Sequence, residues 1–227
     1  MSGQTPLIIA IDGPSGVGKT TTSRLAAQAL SIPHIDTGAM YRALALAASR
    51  AGVGFRDEQG LEELASRVRI DFIPGERAQV LLDGSDVTSL LRTPEMSMAA
   101  SDVSAVPAVR RVLVRLQQDL GRRSGGVLEG RDIGTKVFPE TPFKFFLTAR
   151  PEVRARRRQG ELAAKGQPAD FATVLAETVA RDGQDSSRSD SPLMFDDSYR
   201  VIDTSDRTIE EVVLTIVDTV RSRGSGA

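Results

Sequence analysis

The apolar positions of this chain fall in short runs separated by longer stretches with helical spacing. Residues 7–11, Leu-Ile-Ile-Ala-Ile, are continuous and partly β-branched, the pattern of a strand buried on both faces. Residues 20–30 then place Leu25, Ala26, Ala29 and Leu30 on one helical face. Four further strand-like runs follow at 32–36, 127–129, 143–147 and 201–203, mostly divided by helical stretches. This alternation predicts an α/β fold, a parallel sheet covered by helices, with ligands at the carboxyl ends of the strands. The polar residues just beyond those ends are a glycine loop, Thr37, the triplet Gly130-Arg131-Asp132, and Thr204-Ser205.

One block departs from the alternation. After a predicted helix at 58–67, residues 68–73 and 79–82 read as strands around Pro74-Gly75. A turn at Asp83-Gly84-Ser85 comes next, with 86–87 pairing back. The result is a small antiparallel insert over residues 61–101, with 1–60 and 102–227 forming the core. Helices resume near Pro94 and at Pro107, residues suited to a first helical turn. The tail from Arg221 reads as frayed.

The loop between the first strand and first helix carries G-x-x-x-x-G-K-[ST], here Gly13, Gly18, Lys19 and Thr20. Strand, glycine loop and helix are the context in which this motif cradles phosphates. Asp12, Gly13, Pro14, Ser15, Gly16, Val17, Gly18, Lys19 and Thr20 are therefore the candidate donor site for a nucleoside triphosphate. Backbone N–H groups and the helix N-terminus face the phosphates, and Lys19 adds a full charge. The Thr20 hydroxyl suits a Mg²⁺ ion riding on the nucleotide.

Composition narrows the chemistry. The 227 residues include no cysteine, which excludes disulfides and thiolate metal sites. The one histidine, His34, excludes a histidine metal cluster or a Ser-His-Asp triad, and reads as structural. The remaining candidates are carboxylates, arginines, Lys19 and a metal ion, a set that suits phosphoryl transfer. A net charge of −1 argues against a general nucleic-acid binder. No apolar run nears the ~18 residues of a membrane span, and residues 1–6 lack a signal-like pattern, so a cytoplasmic location is expected; with no obvious exposed apolar seam, a monomer is expected.

The cations comprise 25 Arg and only 4 Lys, together the 29 basic residues. Codon bias accounts for such a ratio, so placement is what informs. Arginines 150, 154, 156, 157 and 158 open a segment ending in Gly166-Gln167-Pro168. It reads as a lid over about 151–169 whose arginines, Arg157 among them, close over transferring phosphates; a solvated helix face is the alternative. Arg42, Arg110, Arg131, Arg181 and Arg188 each flank a loop or strand end and are candidates for neutralising a phosphorylated acceptor. Arg181, Asp185 and Arg188, at i, i+4 and i+7, meet if their helix persists through Gly183, Ser186 and Ser187.

Read jointly, residues 11–19 (I-D-G-P-S-G-V-G-K), 36–42 (D-T-G-A-M-Y-R), 99–104 (A-A-S-D-V-S), 107–110 (P-A-V-R), 129–135 (E-G-R-D-I-G-T), 181–188 (R-D-G-Q-D-S-S-R) and 202–205 (I-D-T-S) resemble the bacterial cytidylate kinases. The resemblance covers most of the chain. It implies a P-loop nucleoside monophosphate kinase fold: a five-stranded parallel sheet in the order 2-3-1-4-5, a monophosphate-binding insert and an arginine-rich lid. The implied activity is ATP-dependent, Mg²⁺-assisted phosphorylation of CMP and dCMP, with neither nucleic acid nor membrane as partner. By resemblance, Ser101 and Arg110 hold the nucleotide with Asp132 nearby, and Asp185 recognises the sugar. Thr37 stands where some relatives have serine. Arg42, Arg131, Arg181 and Arg188 surround the acceptor phosphate and the transferred group, and Tyr41 either packs against the substrate or serves a structural role. Lys19, Arg131, Asp132, Arg181 and Arg188 form the implied catalytic set. Ser198-Tyr199 departs from the small acidic-alanine pair usual before the last strand, which bears on adenine contacts near Thr204 and Ser205. Rival readings are a P-loop kinase of uridylate or of a non-nucleotide metabolite, a nucleotide switch, and an RNA-binding accessory protein.

Overall fold

The computed structural model describes residues 6–73, 79–188 and 190–224. The turn expected at Pro74-Gly75 lies outside them, as do the last three residues of the tail. In chain order the elements are β1 (Ile8–Asp12), α1 (Lys19–Leu30), β2 (His34–Asp36), α2 (Thr37–Ala51), α3 (Glu58–Arg67), β3 (Ile70–Ile73), β4 (Gln79–Leu82) and β5 (Ser85–Asp86). Next come α4 (Pro94–Ser104), α5 (Pro107–Ser124), β6 (Gly126–Gly130), a π-helical turn at Ile133–Val137, and β7 (Lys144–Thr148). The chain closes with α6 (Pro151–Ala164), α7 (Phe171–Ser186), β8 (Arg200–Asp203) and α8 (Ile209–Gly224).

The strands of the large parallel sheet run β2-β6-β1-β7-β8, which is 2-3-1-4-5 when those five are numbered alone. β3, β4 and β5 make the expected separate antiparallel sheet. Strand register sets the level of the functional loops: Asp12 of β1 lies opposite Gly130 of β6 and Phe146 of β7. The glycine loop and the Arg131-Asp132 pair thus leave neighbouring strands at the same level. α1 begins at Lys19 behind Gly18, and α2, α3, α4 and α7 are capped by the side chains of Asp36, Asp57, Thr93 and Asp170. Pro107 and Pro151 sit in the first turns of α5 and α6, where a missing N–H leaves no bond unmade.

The chain divides into two compact units, each with its own core. Leu7–Ile32 and Gly126–Ala227 form the phosphate-loop unit. Its sheet residues Ile9, Ile11, Val127, Phe145 and Leu147 pack with Ala26 and Ala27 of α1 and Val212, Ile216 and Val220 of α8. Pro33–Gly125 forms the other, wider than the 61–101 insert it contains. Here Met40 and Leu44 of α2 pack with Leu61, Leu91, Val103, Val109 and Leu113, and with Ile70, Val80 and Leu82 of the small sheet. Each fully buried aliphatic side chain contributes roughly 1.5–3 kcal/mol. The tail holds longer than its composition indicates: Val220 is buried, Arg221 donates to the Ala29 carbonyl (3.0 Å), and α8 continues to Gly224. Among the described residues no helix is long and apolar enough to cross a membrane.

Candidate active site

The phosphate loop is shaped by backbone that a side chain would block. Gly13 has φ +147°, and a Cβ there would lie 2.1 Å from the Leu147 carbonyl oxygen, so only glycine lets the loop leave β1 beside β7. Lys19, 8 % exposed, bends back over the loop and donates to the Pro14 carbonyl at 2.6 Å. Burial pushes its ammonium well below the usual lysine range, and Arg131 adds to this; the carboxylates of Glu129 and Asp185 work the other way. Thr20 donates its hydroxyl to the Glu129 carboxylate at 3.0 Å.

Asp12, expected with the donor residues, turns its side chain into the fold. It is fully buried and accepts the N–H groups of Ile133 and Gly134 (2.9 Å each) and the Tyr199 hydroxyl (2.8 Å). Its carboxylate therefore holds protein, not phosphate. Burial lifts it from 3.8 to about 6, against the pull of those hydrogen bonds.

α7 persists through Gly183 but ends at Ser186, so Ser187 and Arg188 lie beyond it and the helical i, i+7 spacing does not extend to Arg188. Arg188 reaches Asp185 from outside the helix, and Arg181 acts on Asp185 through its charge. Asp185, 2 % exposed, accepts from Arg131 Nε at 2.8 Å and from Arg188 at 2.6 Å. Burial works to raise its carboxyl, but Arg131 and Arg188, with Arg181 adding to them, outweigh burial and hold it below the usual range. Arg131, Arg181 and Asp185 are all felt electrostatically by Lys19, so the loop lysine and this cluster share one neighbourhood. Asp132 is buried beside them, and its charge raises Asp12.

The arginines of α6 have partners in the same unit. Arg154 is 3 % exposed; it donates to the Ala149 and Ser15 carbonyls and forks onto Asp182 of α7. Arg157 donates to the Thr204 carbonyl (2.6 Å) and hydroxyl (3.1 Å), and Thr204 in turn donates to the Val17 carbonyl. Arg157 is thus tied to the phosphate loop through one residue. Arg150 pairs with Asp206 and Arg158 with Glu161, both at the surface.

In the Pro33–Gly125 unit, Asp36 caps α2 by accepting the Ala39 N–H and pairs with Arg42 at 2.7 Å. Thr37 is buried at the first position of that helix. The Arg110 guanidinium, buried, stands 5.6 Å from the Tyr41 ring centroid and donates to the Ser104 carbonyl. The Ser104 hydroxyl donates to the Ser101 carbonyl, so Tyr41, Arg110 and Ser101 form one connected group. Ser101 lies inside α4, whose cap is Thr93.

Two residues were not singled out from the sequence. Glu129 is buried at the carboxyl end of β6 and meets Thr20; an acidic residue ending the strand next to the phosphate-loop strand was the available signal. Asp182 had none, since its value lies in reaching Arg154 of another helix.

The family described as cytidylate kinase matches residues 9–222. The chain is 48% identical over 218 residues to a cytidylate kinase of Syntrophotalea carbinolica, covering 96% of this chain and 93% of that one. It is 46% identical over 223 residues to a cytidylate kinase of Geobacter sulfurreducens, covering 98% and 96%. Among solved structures, an uncharacterized protein from Eubacterium ventriosum superposes with a TM-score of 0.53 at 14% identity, covering 96% of this chain and 99% of that one, a likeness of fold alone. With its phosphate loop, strand order and antiparallel insert in place, and these matches along nearly its whole length, the chain belongs to the cytidylate kinase family.

Proposed function

We propose that this enzyme transfers the γ-phosphoryl group of ATP to the phosphate of CMP and dCMP, giving ADP and the cytidine diphosphates. The observation that carries this reading is the Arg131–Asp185–Arg188 cluster within the electrostatic reach of Lys19. A triphosphate donor and a phosphate acceptor bring several negative charges together, and a cluster of fixed arginines is what such a meeting requires.

An acceptor phosphate oxygen attacks the γ-phosphorus as the bond to the β,γ-bridging oxygen breaks, and ADP leaves with that electron pair. The attacking oxygen is already ionised at neutral pH, so no strong general base is required. Lys19 and the loop N–H groups hold the β- and γ-phosphates. Arg131, Arg181 and Arg188 neutralise the charge that develops in transit, and Asp185 keeps two of them aimed while accepting from the sugar. Asp132 serves the acceptor beside Arg131, and in the Pro33–Gly125 unit Thr37, Arg42, Ser101 and Arg110 hold the monophosphate and its base. Arg157, tied to the phosphate loop through Thr204, serves the donor, and the 151–169 segment acts as the lid. The Thr20 hydroxyl and the Glu129 carboxylate are hard oxygen donors of the kind Mg²⁺ takes when it rides on nucleotide phosphates, which need only one or two protein oxygens. Bound there, Mg²⁺ would supply further neutralisation of the donor phosphates. We read the working form as a cytoplasmic monomer.

The test is ADP release with ATP, Mg²⁺ and one acceptor at a time: CMP, dCMP, UMP, AMP, GMP, and none. Turnover with CMP and dCMP and little with the purines is expected. Turnover with UMP alone, or with no acceptor in the panel, overturns the proposal.

A further inference from the structure

Arg131 and Asp132, both assigned to the acceptor, sit on the loop that follows β6, and a loop needs fixing if it is to place charges to within an ångström. In this chain the fixing is done from beneath. The first two N–H groups of the π-helical turn, Ile133 and Gly134, come directly after Arg131 and Asp132 and have no partner inside the turn, whose own bonds start with Lys136 and Val137 donating to the Asp132 carbonyl. Both are taken by the two carboxylate oxygens of Asp12, the residue directly before Gly13 of the phosphate loop. One side chain thus bridges the root of the donor loop to the root of the Arg131-Asp132 loop.

Asp12 is itself held by Tyr199, 187 residues further along, whose hydroxyl donates to Oδ2 at 2.8 Å. The phenol ring has little room to move. Phe146 meets it edge-on with centroids 6.3 Å apart, and Lys144 Nζ stands 5.8 Å from its centroid while donating to Ser198. The backbone of Gly134 abuts the hydroxyl end of the phenol: a Cβ there would come 2.5 Å from the Tyr199 hydroxyl oxygen. Burial and the nearby Asp12 charge push the Tyr199 hydroxyl upward, so it keeps its proton and stays a donor.

We propose that Tyr199 is a positioning residue for phosphoryl transfer: through Asp12 it locks the Arg131-Asp132 loop in register with the phosphate loop. Tyr199 itself touches neither phosphate. The charge on Asp12 makes its three hydrogen bonds charge-assisted, and the buried setting strengthens each. None of the three donors is a cation, so removing one leaves a buried carboxylate with less compensation. The loop bearing Arg131 and Asp132 then has room to shift. A small misplacement of charge-stabilising groups lowers kcat, while the donor cradle of Lys19 and loop N–H groups is untouched.

The inference rests on the proposed reaction, and its test separates the two. Tyr199→Phe keeps the ring and deletes only the donor. With ATP and CMP, kcat of the full chain is expected to fall on the order of tenfold while KM for ATP stays within about twofold. In the same variant the amide hydrogens of Ile133 and Gly134, followed by NMR, should exchange about tenfold faster, whichever acceptor the enzyme uses. Asp12→Asn should lower kcat as well, and adding Tyr199→Phe to it should cause little further loss, because both act through one contact. A lower melting temperature with kcat and the two amides unchanged would reduce Tyr199 to a packing residue and overturn the proposal. Wild-type protein that ignores CMP would sink the acceptor assignment, and the amide exchange would still decide the clamp.

Discussion

Asp12 and Asp185 are both buried carboxylates of the phosphate-loop unit, 0 % and 2 % exposed, yet the fold treats them in opposite ways. Asp185 is gripped by two guanidinium groups, and its carboxyl is held below the usual range. Asp12 is gripped by two backbone N–H groups and a phenol, with no cation among these donors, and is lifted to about 6. Hydrogen bonds from neutral donors do not offset the loss of hydration that full burial imposes, whereas paired cations do. On the proposed reaction, the arginine cluster is a charged region kept for handling other charges. The root of the phosphate loop is a scaffold that carries one charge because a carboxylate alone can accept both N–H groups and a hydroxyl.

If this division is right, the largest loss of activity should come from the charged region. Arg181 is felt by both Lys19 and Asp185, so it stands where donor and cluster meet. Arg181→Ala should lower kcat on the order of 10³-fold, with a much smaller change in ATP affinity, since its work is on charge that develops in transit. Steady-state kinetics with an independent ATP titration checks this. Equal losses in both would make Arg181 a donor-binding residue and blur the comparison.

A smaller effect should follow from neutralising the cluster's centre. Asp185→Asn keeps shape but leaves Arg131 and Arg188 without a counter-charge. Those arginines are 20 % and 11 % exposed, so water relieves part of the repulsion, and a loss of about 3 kcal/mol of stability is expected. Urea unfolding at neutral pH measures it. A loss within error would mean that the two arginines are as well solvated as surface ones.

How much of this is legible in the sequence varies with the range of the contacts. The phosphate loop is readable because Gly13 to Thr20 are adjacent in sequence and their strand-loop-helix setting is local. The small antiparallel sheet is readable too, since β4 falls on residues 79–82 as the apolar pattern predicts, and α3 on 58–67. The order of the parallel strands comes only with the family resemblance, because apolar runs buried on both faces do not encode their neighbours. Asp185, Arg181 and Arg188 share a helical spacing that groups them in advance, although α7 ends before Arg188; Arg131, 54 positions away, joins Asp185 only in the fold. Asp12 shows the limit. Its place beside the loop marks it as a phosphate-side residue, and nothing local reveals that its side chain turns inward to a tyrosine 187 positions on.

As pH changes, the two carboxylates should pull stability in opposite directions. The folded protein holds a proton on Asp12 more tightly than the unfolded chain does, since its folded value is about 6 against 3.8. Between those values the native state binds more protons, so the Asp12 contribution to stability falls as pH rises from about 4 to about 6, then levels off. A shift of that size corresponds to about 2–3 kcal/mol across the window. Asp185 is held down instead, so its contribution is complete above 3.8 and is lost only as the pH drops through its lower folded value. Comparing wild type with Asp12→Asn by urea unfolding at pH 4, 5, 6 and 7 isolates the first effect. Asparagine also forfeits one acceptor, but that loss is the same at every pH and leaves the slope alone. Wild type should lose ground to the variant between pH 4 and 6 and run parallel to it above 7. Parallel curves throughout would mean that the three donors satisfy the Asp12 charge after all, and the contrast with Asp185 would disappear.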